Sequence, residues 1–190
     1  MLFASWMPVS IFAGAPALIV PYTAALGKQP GAAGPLLAAT SIGMVLGNTL
    51  VGRFCRPATR ERLAFPLALL LGVPLLAFAL QPPLPLVFGL LLVCGAGLSY
   101  QLGIQQAFLD NVPAELRGRA FGLSSTGVMG GQGLTQPLAG ALASALGPAG
   151  AVAAVGAALV TAVLALRRTL SPGRRAPDEA EPPEGPTEYW

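Results

Sequence analysis

The chain has 190 residues, 54% of them hydrophobic and only 10% charged, where a soluble domain carries about 25% charge. With a mean hydropathy of +0.66, this composition excludes an ordinary water-soluble globule and indicates a multi-pass membrane protein. The net charge of +3 does not point to nucleic acid, because the basic residues flank apolar runs, where they serve orientation and contact with anionic lipid.

Six runs, 2–26, 33–54, 63–81, 84–108, 119–146 and 148–167, are each long enough to cross roughly 30 Å of hydrocarbon, which takes about 20 apolar residues. A backbone in lipid must satisfy its own hydrogen bonds, so the runs are expected to be helices. A transmembrane barrel would show alternating segments of about ten residues instead. The first run has no basic start and is too long for a secretory signal, so it is expected to be retained. It contains Pro8, Pro16 and Pro21, tolerated where neighbours re-satisfy the freed carbonyls. The second run carries Gly43, Gly47 and Asn48 and leads into an Arg-rich loop, 53–62. The third has almost no polar side chains and ends at Gln81-Pro82-Pro83, which suits a peripheral, lipid-facing helix. The fourth ends with Ser99, Tyr100, Gln101, Gln105 and Gln106. The fifth is the most polar and the richest in glycine, with Gly127, Gly130, Gly131 and Gly133 beside Gln132, Thr135, Gln136 and Pro137. The sixth is an Ala/Val/Leu helix, again peripheral, ending at Arg167-Arg168.

Residues 171–190 hold five of the eight acidic residues, Asp178, Glu179, Glu181, Glu184 and Glu188, among prolines. Such a segment cannot bury a core and is expected to be disordered. The expected organisation is therefore an all-α membrane domain over 1–170 and an acidic, Pro-rich tail over 171–190.

Charge fixes the expected topology. Arg53, Arg56, Arg60 and Arg62, then Arg117 and Arg119, then Arg167, Arg168, Arg174 and Arg175 fall on one side of the six-span arrangement, and Lys28 alone on the other. The positive-inside rule places the arginine side, and both termini, in the cytoplasm. The heavy use of Arg, Ala, Gly and Pro suits a GC-rich bacterial genome, hence an inner (plasma) membrane.

A short internal repeat is visible. Thr40-Ser41-Ile42 with Gly47-Asn48-Thr49 in the second run matches Thr126-Gly127-Val128 with Gly133-Leu134-Thr135 in the fifth, 86 positions on. Each lies in the middle helix of a triplet, and an odd number of spans makes the second triplet inverted relative to the first, as in secondary transporters.

Gly43/Gly47 and Gly127/Gly131 form GxxxG pairs that let helix backbones approach closely. The sequence leaves open whether such contacts only pack or also move. Asn48, Gln101, Gln105, Gln132 and Gln136, with Tyr100, lie within or near the ends of runs two, four and five. Polar side chains at membrane depth face a bundle interior or an aqueous cavity, so these six are candidates to line a substrate path or to bond helices together. The acids outside the tail, Glu61, Asp110 and Glu115, sit near the arginine side, and no acid lies deep in a run. A proton-coupled carrier of the usual type needs a buried titratable group, so coupling would have to reside elsewhere. There is no His, no P-loop and no catalytic Ser/His or Cys/His pair. No enzyme activity, metal or cofactor is therefore expected. Cys55 and Cys94 differ in depth, and no disulfide is expected between them.

The string from Asp110 to Leu123, DNVPAELRGRAFGL, with the following Gly-rich helix and Pro137-Leu138-Ala139-Gly140, resembles the loop and helix before the last span of major facilitator superfamily transporters. Gly47-x4-Gly52-Arg53 with Arg56, Arg60 and Arg62 is similar to the degenerate second copy of that family's cytoplasmic loop motif, with Gly52 where the acid usually stands. The resemblance covers about 1–170 and is to the C-terminal six helices of a twelve-helix fold. It implies alternating access between two six-helix halves, with spans one, two, four and five lining the cavity. The expected partners are the lipid bilayer, a small-molecule substrate and a second six-helix half, either an N-terminal half or a second copy. Arg53, Arg56 and Arg117 with Asp110 and Glu115 are candidates for a cytoplasmic gate, by charge sign and side. The neutral, amide-lined and apolar path suits efflux of a neutral or hydrophobic compound. A non-transporting scaffold or an inactive truncated remnant is the alternative.

Overall fold

The computed structural model describes residues 2–104 and 116–167, and apart from connecting turns the described residues are helical. In chain order these are α1 (Leu2–Phe12), α2 (Gly14–Ala25), a 3-10 turn (Pro30–Ala32), α3 (Ala33–Phe54), α4 (Pro57–Leu76), a second 3-10 turn (Ala77–Leu80), α5 (Leu84–Gly97) and α6 (Arg117–Ala165). Five helical stretches are long and apolar enough to span a bilayer: Trp6–Ala25, Ala33–Phe54, Arg62–Leu80, Leu84–Ile104 and Arg117–Ala165.

Proline and glycine set the boundaries. Pro16 has no N–H to give the Phe12 carbonyl and its ring crowds that group, so the first span is broken at Ala13. Ala13 keeps right-handed angles (φ −58°, ψ −20°), and α1 and α2 form one bent span. Arg56 precedes a proline and is extended (φ −66°, ψ 154°), as the steric clash with a following ring requires. Pro57 then opens α4, where its missing N–H has no intrahelical partner to lose. Gln81 turns the chain with φ +49°, and α5 starts behind Pro83. The fourth span tightens at its end: the Leu98 and Ser99 N–H groups donate to the Gly95 and Ala96 carbonyls, and residues 100–104 are helical again.

The expected fifth and sixth runs are continuous as α6, which is 49 residues long, but Gly147 within it is non-helical (φ 75°, ψ 161°). The chain doubles back there. A Cβ placed on Gly14 would lie 3.1 Å from Thr135 Cγ2 and 3.2 Å from Ala139 Cβ, but also 3.4 Å from Val155 Cγ2. Residues before and after Gly147 thus flank the same point of α2, and α6 consists of two arms, 117–146 and 148–165.

Contacts of the other glycines give the helix directions. Gly43 and Gly47 of α3 face Leu92 and Ala96 of α5 in the same order, so α3 and α5 run parallel. Gly103 lies against Arg60, and Gly97 against Leu67 and Leu71, so α4 runs against α5. Gly72 meets Leu159 and Val160 while Gly156 meets Leu75, so the second arm of α6 runs against α4. Gly127 meets Trp6 and Gly131 meets Ser10, so the first arm runs parallel to α1. One end of the bundle therefore collects Arg53, Arg56, Arg60, Arg62, Arg117, Arg119 and Arg167. The opposite end holds Lys28, Gln81 and the Gly147 reversal. The core between them is apolar: Leu18 and Ile19 of α2, Leu71 and Leu75 of α4, Leu91 of α5 and Leu159 of α6 are all at most 2% exposed.

Candidate functional site

Two helix pairs carry the GxxxG glycines. In the α3–α5 pair the backbones touch. A Cβ on Gly47 would sit 2.6 Å from the Ala96 carbonyl oxygen and 2.8 Å from its Cα, and one on Gly43 would collide with the Leu92 carbonyl. Gly95 completes the contact from the α5 side, against the Thr40 carbonyl. In the α1–α6 pair the glycines receive side chains instead. The Trp6 indole lies 3.2 Å from the place a Cβ would take on Gly127, and Ser10 fills the equivalent place at Gly131. Ser10, buried, donates its hydroxyl to the Trp6 carbonyl at 2.8 Å and lies 3.4 Å from the Val128 carbonyl. The part played by Trp6 and Ser10 is not apparent from either residue alone. The available signal is that their spacing of four matches that of Gly127 and Gly131.

The glycine faces decide where the amides point. With Gly43 and Gly47 turned to α5, Asn48 falls about 100° round the helix and is exposed, together with Ser41 and Thr49. On the first arm of α6, Gln136 is exposed and Gln132 half-buried, with Ser125 and Thr126 exposed on the same arm. Thr49 and Thr126 bond back to their own helix, at Val45 and Gly122. The side-chain amides of Asn48, Gln132 and Gln136 have no hydrogen-bond partner among the described residues. Gln101 is exposed, whereas Tyr100 is fully buried, with its phenol against the Gln101 side chain and the Val9 backbone. Gln105 lies outside the described residues.

The outward faces of α4 and of the second arm of α6 differ in kind. On α4 the exposed positions past Arg62 are Pro66, Leu70, Val73 and Leu76. On the second arm they include Ala157, Ala158 and Leu164, with Thr161 bonded back to the Ala157 carbonyl. Among the described residues, side-chain amides without a partner thus stand on α3 and the first arm of α6, while Gln101 at the end of the fourth span meets the Tyr100 phenol.

At the arginine end, Arg53, Arg56 and Arg117 are exposed. Asp110 and Glu115 lie outside the described residues, so their pairing with these arginines is not described. Arg60 acts locally, and its guanidinium donates to the Cys55 carbonyl at 2.9 Å and to the Gly52 carbonyl. These are carbonyls at the C-terminus of α3, where helical partners run out and the helix dipole favours a cation. At the opposite end, Tyr22 is buried edge-on against Phe78 (ring centroids 5.2 Å apart, planes at 60°) with its hydroxyl donating to the Pro82 carbonyl at 3.4 Å. It borders an open cleft of about 300 Å³ that Gln81 and residues 146–150 also line.

The family model of the Major Facilitator Superfamily matches residues 1–189. The chain belongs to the Major Facilitator Superfamily. No curated protein and no solved structure gives a significant match. Membership makes this all-helical chain a multi-pass membrane protein of a family that transports small solutes and is generally not enzymatic.

Proposed function

We propose that the chain is one six-helix half of a twelve-helix carrier, which moves a neutral or hydrophobic solute outward by alternating access. The observation that carries this reading is the partition of outward faces. Unpartnered amides on a lipid-facing surface are costly, yet Asn48 and Gln136 stand exposed on α3 and the first arm of α6. The exposed surface of α4 is apolar and suits lipid. The polar faces therefore border water, substrate or a second half, supplied by another polypeptide segment or a second copy of this chain. Asn48, Gln101, Gln132 and Gln136 line the path, with Gln105 beyond them. Tyr100 fixes the wall behind Gln101 rather than meeting solute.

The two arms of α6 count as separate crossings, six in all, and the arginine end lies in the cytosol by the positive-inside rule. The two triplets form an inverted repeat. Gly43 meets Leu92 and Gly47 meets Ala96, as Gly127 meets Trp6 and Gly131 meets Ser10. Arg53, Arg56 and Arg117 with Asp110 and Glu115 form the cytoplasmic gate of this carrier.

Single cysteines at positions 48, 136 and 73, each in a Cys55→Ser, Cys94→Ala background, test the path. With the protein in vesicles, a water-soluble maleimide modifies 48 and 136 and leaves 73 unmodified, because thiols ionise and react only where water reaches them. If 48 and 136 are as inert as 73, both helices face lipid and the half-carrier reading fails. If the path is real, Gln132→Leu and Gln136→Leu lower the rate of solute movement in the same vesicles without lowering the melting temperature.

A further inference from the structure

The arginine end bears more exposed positive charge than its own acids balance. Arg53, Arg56, Arg62, Arg119 and Arg167 are all exposed there, and no ion pair among the described residues occupies them. The other acids that the chain order brings to this end are Glu61, Asp110 and Glu115. The second arm of α6 also ends there, at Ala165, and Arg167, the last described residue, lies at the same surface. The segment that follows Arg167 carries Asp178, Glu179, Glu181, Glu184 and Glu188 against Arg174 and Arg175. Its acids are concentrated beyond position 177, far enough along to fold back.

We infer that the acidic segment 178–188 docks on this arginine face. Reach permits it. About fifteen residues separate Arg167 from the middle of the acidic run, and a chain of that length spans roughly 20 Å on average and about 50 Å at full extension. Six helices packed 8–10 Å apart make a face roughly 30 Å across, so every exposed arginine lies within range. Tethering keeps the acids at a local concentration of about a millimolar or more. Several weak charge pairs then act together although each alone is worth little. The occupant is this chain's own acidic segment, and anionic lipid headgroups are its competitors for the same guanidinium groups. The inference rests on the membrane reading only in requiring that the arginine end be in water; it does not depend on transport.

Cys55 reports on this face. It is half-buried, lies between Arg53 and Arg56, and is separated in depth from the fully buried Cys94. The experiment uses the full chain in vesicles of zwitterionic lipid alone, permeabilised so that both faces are reached. It compares the rate at which a sulfonated, anionic thiol reagent modifies Cys55 in the native chain and in D178N/E179Q/E181Q/E184Q/E188Q. A docked segment repels the reagent, so the neutralised variant reacts about threefold faster or more at 20 mM salt, and the difference disappears at 1 M salt where screening reaches only about 3 Å. Arg62→Gln/Arg119→Gln/Arg167→Gln, which leaves the neighbours of Cys55 unchanged, removes the difference between tail-neutral and tail-acidic chains. Equal rates for the native and tail-neutral chains at low salt overturn the inference. If the rates are equal in zwitterionic vesicles but anionic lipid protects Cys55, the face belongs to the bilayer and the inference is likewise overturned. Reaction of positions 48 and 136 with maleimide is read on different cysteines, so failure of the carrier reading and failure of this one are separable.

Discussion

The α3–α5 contact makes a sharp prediction at Gly47. A methyl group there would sit 2.6 Å from the Ala96 carbonyl oxygen and 2.8 Å from its Cα, where ordinary contact begins near 3.4 Å. The obstructing atoms are backbone, so no rotamer relieves them, and the two helices must part by about 0.6–0.8 Å. A gap of that size forfeits a quarter to a half of the dispersion energy of the atom pairs it separates, and overpacking of this kind costs about 1–3 kcal/mol. Alanine returns up to about 1 kcal/mol in helix propensity. The expected net loss for Gly47→Ala is therefore about 1–2 kcal/mol, which for a chain of this size lowers the melting temperature by about 3–6 °C. Gly130→Ala is the control, because a Cβ there meets nothing within 4 Å; it melts at the native temperature or slightly above it. Gly127→Ala falls between the two, since the Trp6 ring facing it can shift by a few tenths of an ångström. Intrinsic fluorescence during heating in a mild detergent reads all three. If Gly47→Ala melts together with Gly130→Ala, the backbone contact between α3 and α5 does not exist as described.

Arg60→Ala removes two hydrogen bonds to the last carbonyls of α3 and is expected to cost about 1–2 kcal/mol, discounted for partial exposure. Arg60→Lys recovers part of this loss, because an ammonium lacks the fork that reaches both carbonyls; thermal melting separates the three chains. Gly147→Ala meets no atom within 4 Å but forces a side chain onto φ 75°, ψ 161°, a region essentially closed to residues with a Cβ, at a cost of about 1–3 kcal/mol. Gly27→Asn, at φ +65°, is expected to be nearly neutral, since asparagine tolerates left-handed turns. Equal losses at the two glycines would contradict the Gly147 geometry.

Span positions were legible in the sequence because prolines and charges mark their ends: Pro57, Pro83 and Pro148 each open a helix or arm near where the apolar runs begin. What each helix packs against was not legible. A GxxxG pair announces a close approach but not its partner, and only the tertiary arrangement sets Gly47 on Ala96 and Gly131 on Ser10. The amides were visible as polar residues in apolar runs, yet their facing follows from the glycines beside them, which turn Asn48 outward. Tyr100 is buried because the tightened turn at Leu98 and Ser99 resets the register of the residues after it. Arg60 reads in sequence as one topology charge among several. Its capping of α3 depends on the reversal at Cys55 and Arg56, which brings its guanidinium back to carbonyls eight and five residues earlier.

The proposed repeat shows which kind of likeness survives folding. The matching strings align at a spacing of 86, pairing Gly47 with Gly133, but Gly133 faces open space while Gly131 packs. The packing glycines instead correspond at 84: Gly43 with Gly127, Gly47 with Gly131, and Gly72 with Gly156. Their contacts on the helices they meet, Trp6 and Ser10 against Leu92 and Ala96, correspond at 86. What the two glycine pairs have in common is that each is set against a neighbouring helix; the hydroxyls of the matching strings take no part in either contact. Equivalent joints are not equally stiff. At Gly47 the neighbour is a helix backbone that cannot yield without moving the whole of α5. At Gly131 it is the Ser10 side chain, on a span interrupted by Pro8 and Pro16 and packed against an arm holding Pro137. Missing backbone hydrogen bonds make proline-bearing helices the easier ones to bend, so of these two joints the one between α1 and the first arm of α6 costs less to displace than the one between α3 and α5.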